Sequence, residues 1–291
     1  MGRRGWALQR QAYDQVIQMA RSSHAEHRHR WRDRPLIPAS VAIHSTAAGM
    51  AAWHPSLWPW ALGLVVANHG VLTAAGLWPR STWLGPNWTR LPLHRGAVEV
   101  AITIDDGPDP EVTPRVLDLL DGAGVRVTFF CIGDQVGAHS ALSREIVARG
   151  HRVENHSQRH LHYFALLGPR GLKSEIERAQ DTIGTVTGER PRFFRAPMGL
   201  RNPFLDAVLA DLELRLVSWT RRGFDTVTRR PDVVLARLTR GLGPGDIMLL
   251  HDGHAALTAT ARPVILEVLP RLLQSVAGAG LRPVTLHEVL P

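Results

Sequence analysis

An apolar run from Val98 to Ile104 alternates like a buried strand and stops at Asp105-Asp106-Gly107-Pro108. Gly-Pro is a strong turn signal, so the strand ends at two adjacent carboxylates. Two acids at the end of a core strand are costly, because like charges repel and burial disfavours both ionised forms. A metal ion or a catalytic task offsets that cost. The plainer reading is a pair capping a helix that begins near Glu111–Thr113.

From about residue 97 strand and helix patterns alternate. Strands are predicted at Val98–Ile104, Val125–Cys131, His151–Glu154, Phe193–Phe194, Leu214–Trp219, Ile247–Leu250 and Arg282–Thr285. Helical periodicity fills the gaps at Pro114–Asp121, Ser140–Arg149, Gly171–Thr187, Pro203–Leu212, Pro231–Gly241 and Pro263–Ala279. Such βα alternation implies a mainly parallel sheet. About seven units in one stretch favour an α/β fold of the distorted (β/α) barrel type, with its site at the C-terminal strand ends. The single cysteine, Cys131, follows Phe129-Phe130 and reads as a core residue; it excludes an internal disulfide.

The N-terminal third differs in kind. Residues 1–95 hold 11 of the 34 Lys and Arg but only 3 of the 26 acids, so the net charge of +8 belongs there and the remainder is balanced. The balanced part gives no electrostatic reason to expect nucleic acid as a partner. Three regions result: a basic segment 1–34, an apolar helical region 35–95 and a catalytic region 96–291. Around residues 12–20 the basic segment could form an amphipathic helix on a membrane surface. A cleaved signal peptide is not expected, because the basic lead is long and the strong apolar run lies far in.

Two apolar stretches follow, Leu36–Trp53, diluted by Ser40, His44, Ser45 and Thr46, and Leu57–Trp78, which carries no formal charge. About 20 apolar residues span a bilayer. Tryptophans at 31, at 53, 58 and 60, and at 78, 83 and 88 fall where interfacial belts of a helical hairpin would lie. Residues 36–78 are therefore expected to meet membrane lipid, as in a bacterial inner membrane. Arg32, Arg34, Arg80 and Arg90 flank the outer ends, which places both ends and the catalytic region on the cytoplasmic side. A soluble buried hairpin is the alternative, and a single span at Leu57–Trp78 would put the catalytic region outside.

Four further groups sit at predicted strand ends. His156 and His160 share one face of a helix or turn, which suits two imidazoles on one ion. With an upstream carboxylate they would form a two-His-one-carboxylate site with open positions. Arg195-Ala196-Pro197 follows a short strand, and an arginine there is expected to pair with a carboxylate. Asp225 and His251 each follow apolar strands.

In this order and spacing the chain resembles the polysaccharide deacetylases, the NodB-homology group of carbohydrate esterase family 4. The resemblance covers roughly residues 97–290. It rests on Thr-Ile-Asp-Asp-Gly-Pro at 103–108, His-Ser-x-x-His at 156–160, Arg-x-Pro at 195–197, Asp225, and Leu-x-His at 249–251. It implies that Asp106, His156 and His160 hold a divalent metal, usually zinc, with cobalt, nickel or another ion also suitable. It implies Asp105 as general base, oriented by Arg195, and His251 as general acid, oriented by Asp225. The backbone N–H of Met198, after Pro197, would steady the oxyanion.

Two departures stand out. The family commonly has an aromatic where Met198 stands and often a tryptophan where Thr226 stands; both usually shape the sugar groove. The expected activity is metal-dependent removal of an N-acyl group, most simply N-acetyl, from an amino sugar of a glycan. Its rivals are a deacylase or deformylase of a lipid-linked amino sugar at the cytoplasmic membrane face, and a catalytically silent carbohydrate-binding barrel.

Overall fold

The structure, a computed structural model, describes residues 34–290. The basic segment, with the amphipathic stretch expected near 12–20, lies outside the described residues.

Helix α1 (Leu36–Trp53), a 3-10 turn (Pro55–Leu57) and α2 (Trp58–Leu77) form an antiparallel hairpin. The polar residues that interrupt the two apolar stretches meet between the helices. Asn68 Nδ2 donates to Ser40 Oγ at 2.7 Å, His44 Nδ1 lies 2.7 Å from the Ser40 carbonyl, and the His44 and His69 Nε2 atoms approach to 3.3 Å. Trp53, Trp58, Trp60, Leu62 and Val66 point outward and stay exposed. Among the described residues one helical stretch, Pro55–Leu77, is long and apolar enough to cross a membrane. At 1.5 Å per residue, α2 alone matches a hydrocarbon layer about 30 Å thick.

The chain leaves the hairpin directly onto the barrel. The Arg201 N–H donates to the Gly76 carbonyl at 3.1 Å, Asn87 Nδ2 donates to the Pro79 carbonyl at 2.8 Å, and Arg34 pairs with Asp206. Trp88 forms a parallel bridge with Val217, donating to the Leu216 carbonyl and accepting from the Ser218 N–H, each at 2.9 Å. Leu91 then joins the apolar interior of the barrel.

The barrel contains β1 (Glu99–Asp105), α3 (Thr113–Gly122), β2 (Thr128–Cys131), α4 (Gly133–Ala138), α5 (Ser140–Ala148), β3 (Arg152–Asn155) and α6 (Pro169–Thr187). It continues with β4 (Phe193–Phe194), α7 (Leu205–Asp211), β5 (Arg215–Leu216), β6 (Arg221–Arg222), α8 (Pro231–Thr239), β7 (Ile247–His251), α9 (Val264–Gly278) and β8 (Arg282–Pro283). Every pairing between these strands is parallel, in the order β5-β4-β3-β2-β1-β7-β6, with β8 beside the start of β1. This is the expected distorted (β/α) barrel. Two elements were not expected: β6, two residues long, and α4, whose sequence Gly-Asp-Gln-Val-Gly-Ala carries two helix-weakening glycines.

Strand alternation sorts the side chains into two layers. Val100, Ile102 and Ile104 face outward with Phe129, Cys131, Met248 and Leu250, packing against α3 and α9. Ala101, Phe130 and Ile247 face inward. The same alternation turns Thr103, Asp105, Leu249 and His251 toward the barrel interior. Asp105 pairs in register with His251, so the period of two brings an acid and an imidazole to one mouth of the barrel.

Candidate active site

Asp105 and Asp106 end β1 but face different partners. Asp105 is buried, and its Oδ1 accepts from Arg195 Nη1 at 2.6 Å. Arg195 follows β4 and is itself buried. It also donates to Thr103 Oγ1 (2.8 Å) and to the carbonyls of Val217 (3.2 Å) and Ser218 (2.8 Å), and lies over the Phe130 ring at 4.1 Å. Burial pulls the Arg195 guanidinium below its ordinary range and the Asp105 charge opposes that shift. The guanidinium is thus fixed from all sides, and Asp105 with it.

Asp106 lies in the left-handed region (φ 76°). The turn brings its Oδ1 to 3.2 Å from His156 Nε2 and 3.4 Å from His160 Nε2, with Oδ2 3.5 Å from His254 Nδ1. Burial opposes its ionisation, but the adjacent His156 and His254 imidazoles hold its carboxyl well below the usual carboxylate range. It is therefore an anion at any working pH.

A loop, rather than a helix, brings the two histidines together, their rings 4.9 Å apart. Ser157 and His160 both have positive φ; the Asn155 side chain accepts the Ser157 N–H (2.9 Å) and Ser157 Oγ accepts the His160 N–H (3.0 Å). His156 Nδ1 lies 2.8 Å from the Arg195 carbonyl and donates to it, which leaves Nε2 facing Asp106. Burial, aided by the neighbouring His156, pushes His160 down to about 4, so its imidazole is neutral near pH 7.

Asp106, His156 and His160 offer three ligand atoms within 4.8 Å of one another. Asp106 Oδ1 is buried and accepts no hydrogen bond. An orphaned anionic oxygen between two imidazole nitrogens is the environment a divalent cation satisfies. One carboxylate and two imidazoles suit zinc and its neighbours and leave coordination positions open.

Opposite them, His251 ends β7. Asp225, fully buried, accepts from the His251 backbone N–H (2.8 Å) and from its Nδ1 (2.8 Å). Burial alone would lower His251, but the Asp225 charge and hydrogen bond prevail and push it up to about 9. Near neutral pH it is a protonated acid with a fixed ring.

Met198 sits in the 3-10 turn Pro197–Gly199 with φ 57° and lines the mouth, as does Thr226. Of the site residues expected from the sequence, all except Arg195, Pro197 and Asp225 line a cleft of about 210 Å³. The other three stand immediately behind it. Four of the eight non-glycine residues with positive φ among the described residues (Asp106, His160, Met198 and His254) line this cleft, so backbone strain concentrates there.

Sequence reasoning gave no role to Thr103, Trp219 or Asp252, which lie within its motifs, and did not single out His254 or Arg222. Thr103 precedes the acidic pair by two and shares its face, a signal the alternation carries. Asp252 is buried behind the site, accepts from Thr113 Oγ1 at 2.5 Å and is pushed up to about 7 by burial. Gly107 lies against its carboxylate, and a Cβ on Gly253 would meet the Asp106 carbonyl oxygen at 2.5 Å. The two acidic loops nest because both of those residues are glycine.

Residues 94–217 match the family described as polysaccharide deacetylase. A peptidoglycan-N-acetylglucosamine deacetylase of Bacillus cereus is 32% identical over 211 residues, covering 72% of this chain and 92% of that protein. The chain belongs to the polysaccharide deacetylase family. A chitooligosaccharide deacetylase of a Bradyrhizobium species is 32% identical over 192 residues, covering 64% of this chain and 87% of that one. Among solved structures, a family 4 carbohydrate esterase from Streptomyces lividans in complex with acetate superimposes with a TM-score of 0.58 at 34% identity, covering 64% of this chain and 91% of that one. The chain covers most of the length of each of these polysaccharide deacetylase relatives.

Proposed function

We propose that this polysaccharide deacetylase is a metal-dependent hydrolase that removes an N-acetyl group from an amino sugar of a glycan. One observation carries the reading: an unsatisfied Asp106 oxygen and two imidazole nitrogens converge beside a second, separately held acid and opposite a protonated histidine. The relatives named for peptidoglycan and chitooligosaccharide deacetylation support the substrate class.

Asp106, His156 and His160 would hold a divalent metal, zinc being the simplest choice. Such an ion lowers the pKa of water and polarises a carbonyl. Asp105, held in place by Arg195, takes the proton of the attacking water as the general base. The Met198 backbone N–H, positioned by Pro197, donates to the developing oxyanion; one such donor contributes about 3 kcal/mol. His251, oriented and charged by Asp225, protonates the departing amine. The two neighbouring acids differ in role because one faces imidazoles and a cation and the other a guanidinium.

One observation favours a membrane-proximal substrate, including a lipid-linked amino sugar. Gly199 lines the cleft, and a Cβ added there would meet Pro79, two residues beyond the end of α2, at 2.8 Å. The cleft therefore opens beside the foot of the hairpin, on the side where α2 would enter lipid. Arg80 follows that foot and supports a cytoplasmic barrel. A reporter fused after Pro291 tests it: activity only of a cytoplasm-dependent reporter is expected, and an extracytoplasmic signal refutes it.

The test of the activity is acetate release from N-acetylated chitooligosaccharide and from peptidoglycan, with metal content measured alongside. Wild type should carry about one ion per chain, lose turnover with chelator and regain it with zinc or cobalt; Asp105→Asn should keep the ion and lose turnover. A chain that binds glycan but never releases acetate, with metal present, would be a binding barrel instead.

A further inference from the structure

Two arginines stand side by side in β6 and meet opposite fates. Strand alternation sends Arg221 to the buried carboxylate of Asp246 and to the carbonyls of Arg240 and Gly241. Arg222 turns the other way, into the cleft. Its guanidinium lies over Trp219 at 5.2 Å and over Phe224 at 4.9 Å, and the residue lines the cleft with Asp105, Asp106, His251 and His254.

Among the described residues no carboxylate pairs with Arg222 and its guanidinium makes no hydrogen bond; its Nε is buried without a partner. The nearest fixed charges are already committed: Arg195 pairs with Asp105, His251 with Asp225, and Asp106 faces the imidazoles of the metal-ligand set rather than Arg222. A partly desolvated cation with no acid is a standing cost unless a ligand supplies the anion. Stacking on two rings fixes the guanidinium plane and leaves its edge for paired bonds to a carboxylate or phosphate. Met198 and Thr226 line the mouth beside Trp219, and neither carries a charge that would match the guanidinium.

We propose that Arg222 is a specificity-determining residue that recognises an oxyanion on the substrate. The preferred substrate is then an N-acylated amino sugar that carries a carboxylate or phosphate on the same or the adjacent unit. This rests on the deacylase reading of the cleft.

The test uses the full, metal-loaded chain and three probes: neutral N-acetylated chitooligosaccharide, an oligosaccharide whose N-acetyl sugar bears a carboxylate ether, and one bearing a phosphate monoester. Wild type should favour an acidic probe by about tenfold in kcat/KM, mostly through KM, and the preference should shrink as salt is added. Arg222→Gln should abolish the preference and Arg222→Lys restore part of it, and the carboxylate and phosphate arms identify the anion. Equal turnover of neutral and acidic probes by wild type overturns the proposal, as does an Arg222→Gln loss that strikes all three alike, the mark of a merely structural stack. Calorimetric titration of the same probes separates this from the deacylase reading. Tighter binding of an acidic probe, lost in Arg222→Gln, with no acyl release from any probe, fells the deacylase reading and leaves the anion site standing. No such difference in binding fells the anion site.

Discussion

Both mouths of the barrel bury acids, and they treat them differently. In the barrel interior, Glu154 accepts the backbone N–H groups of Arg192 (2.8 Å) and Phe193 (2.7 Å) and pairs with His287 at 2.5 Å. Asp246, at the base just before β7, pairs with both Arg90 and Arg221 and accepts the Gly243 N–H at 3.0 Å. Every carboxylate oxygen of these two acids has a protein partner. At the top, Asp106 Oδ1 has none, and Arg222 is a cation without an acid. The matched end holds the fold together, while the unmatched end is where an ion and a substrate complete the polar accounting. That division is the usual one between the two faces of a (β/α) barrel.

The largest expected effect breaks the unmatched end. Asp106→Ala or His156→Ala should remove the bound metal and take acetate release to background, while the apo protein unfolds at an unchanged or higher denaturant concentration. Elemental analysis and urea titration check this; a marked loss of apo stability would mean that the top is matched after all. Next, Asp105→Asn should keep the metal and lower kcat by about 10²–10⁴-fold, the range for loss of a general base. Retained metal with retained turnover would transfer the base role elsewhere.

The converse substitution is at the base. Asp246→Ala leaves Arg221, largely buried, without its acid, and breaking a buried pair costs about 3–5 kcal/mol. Unfolding free energy should fall by an amount in that range while kcat, measured well below the melting temperature, stays near wild type. A kcat loss as large as that of Asp105→Asn would erase the distinction between the two ends.

Much of this division was legible before any coordinates. A strand that alternates and then stops at charged residues advertises its own end, so Asp105, Asp106 and His251 stand out, and alternation alone places Asp105 and His251 on the inner face. The parallel barrel followed from seven strand-helix units. Less legible were features that depend on chain segments far apart. Residues 79–91 share the tryptophan-rich composition of the hairpin, yet Trp88 lies along the barrel wall at Val217, through hydrogen bonds that no local pattern encodes. The strand β6 is only two residues long, too short for any periodicity, and so the opposite directions of Arg221 and Arg222 were invisible. His254 approaches Asp106 because Gly253 lets the two loops nest, a contact set by backbone geometry rather than spacing.

The smallest expected effect is also the sharpest test of how far the two ends differ. Asp225 and His251 form a matched pair, like those at the base, but within the top. Asp225 lifts His251 from its ordinary 6.5 to about 9 despite burial. A raised imidazole pKa contributes stability that is fully present below pH 6.5 and lost as pH rises through about 9. Catalysis follows the same limb, because the general acid must be protonated, so kcat/KM should decline above about pH 9. In Asp225→Asn the larger part of the lift disappears, leaving burial opposed only by the charges of Asp105 and Asp106. The alkaline limb should then move to lower pH, and kcat should fall at neutral pH. The pH-dependent share of stability between 6.5 and 9 should shrink with it. Denaturation midpoints and pH–rate profiles on one pair of proteins read both quantities. If the rate limb moves while the stability profile stays as in wild type, the pair serves chemistry alone, and the top holds no matched pair of the kind that stabilises the base.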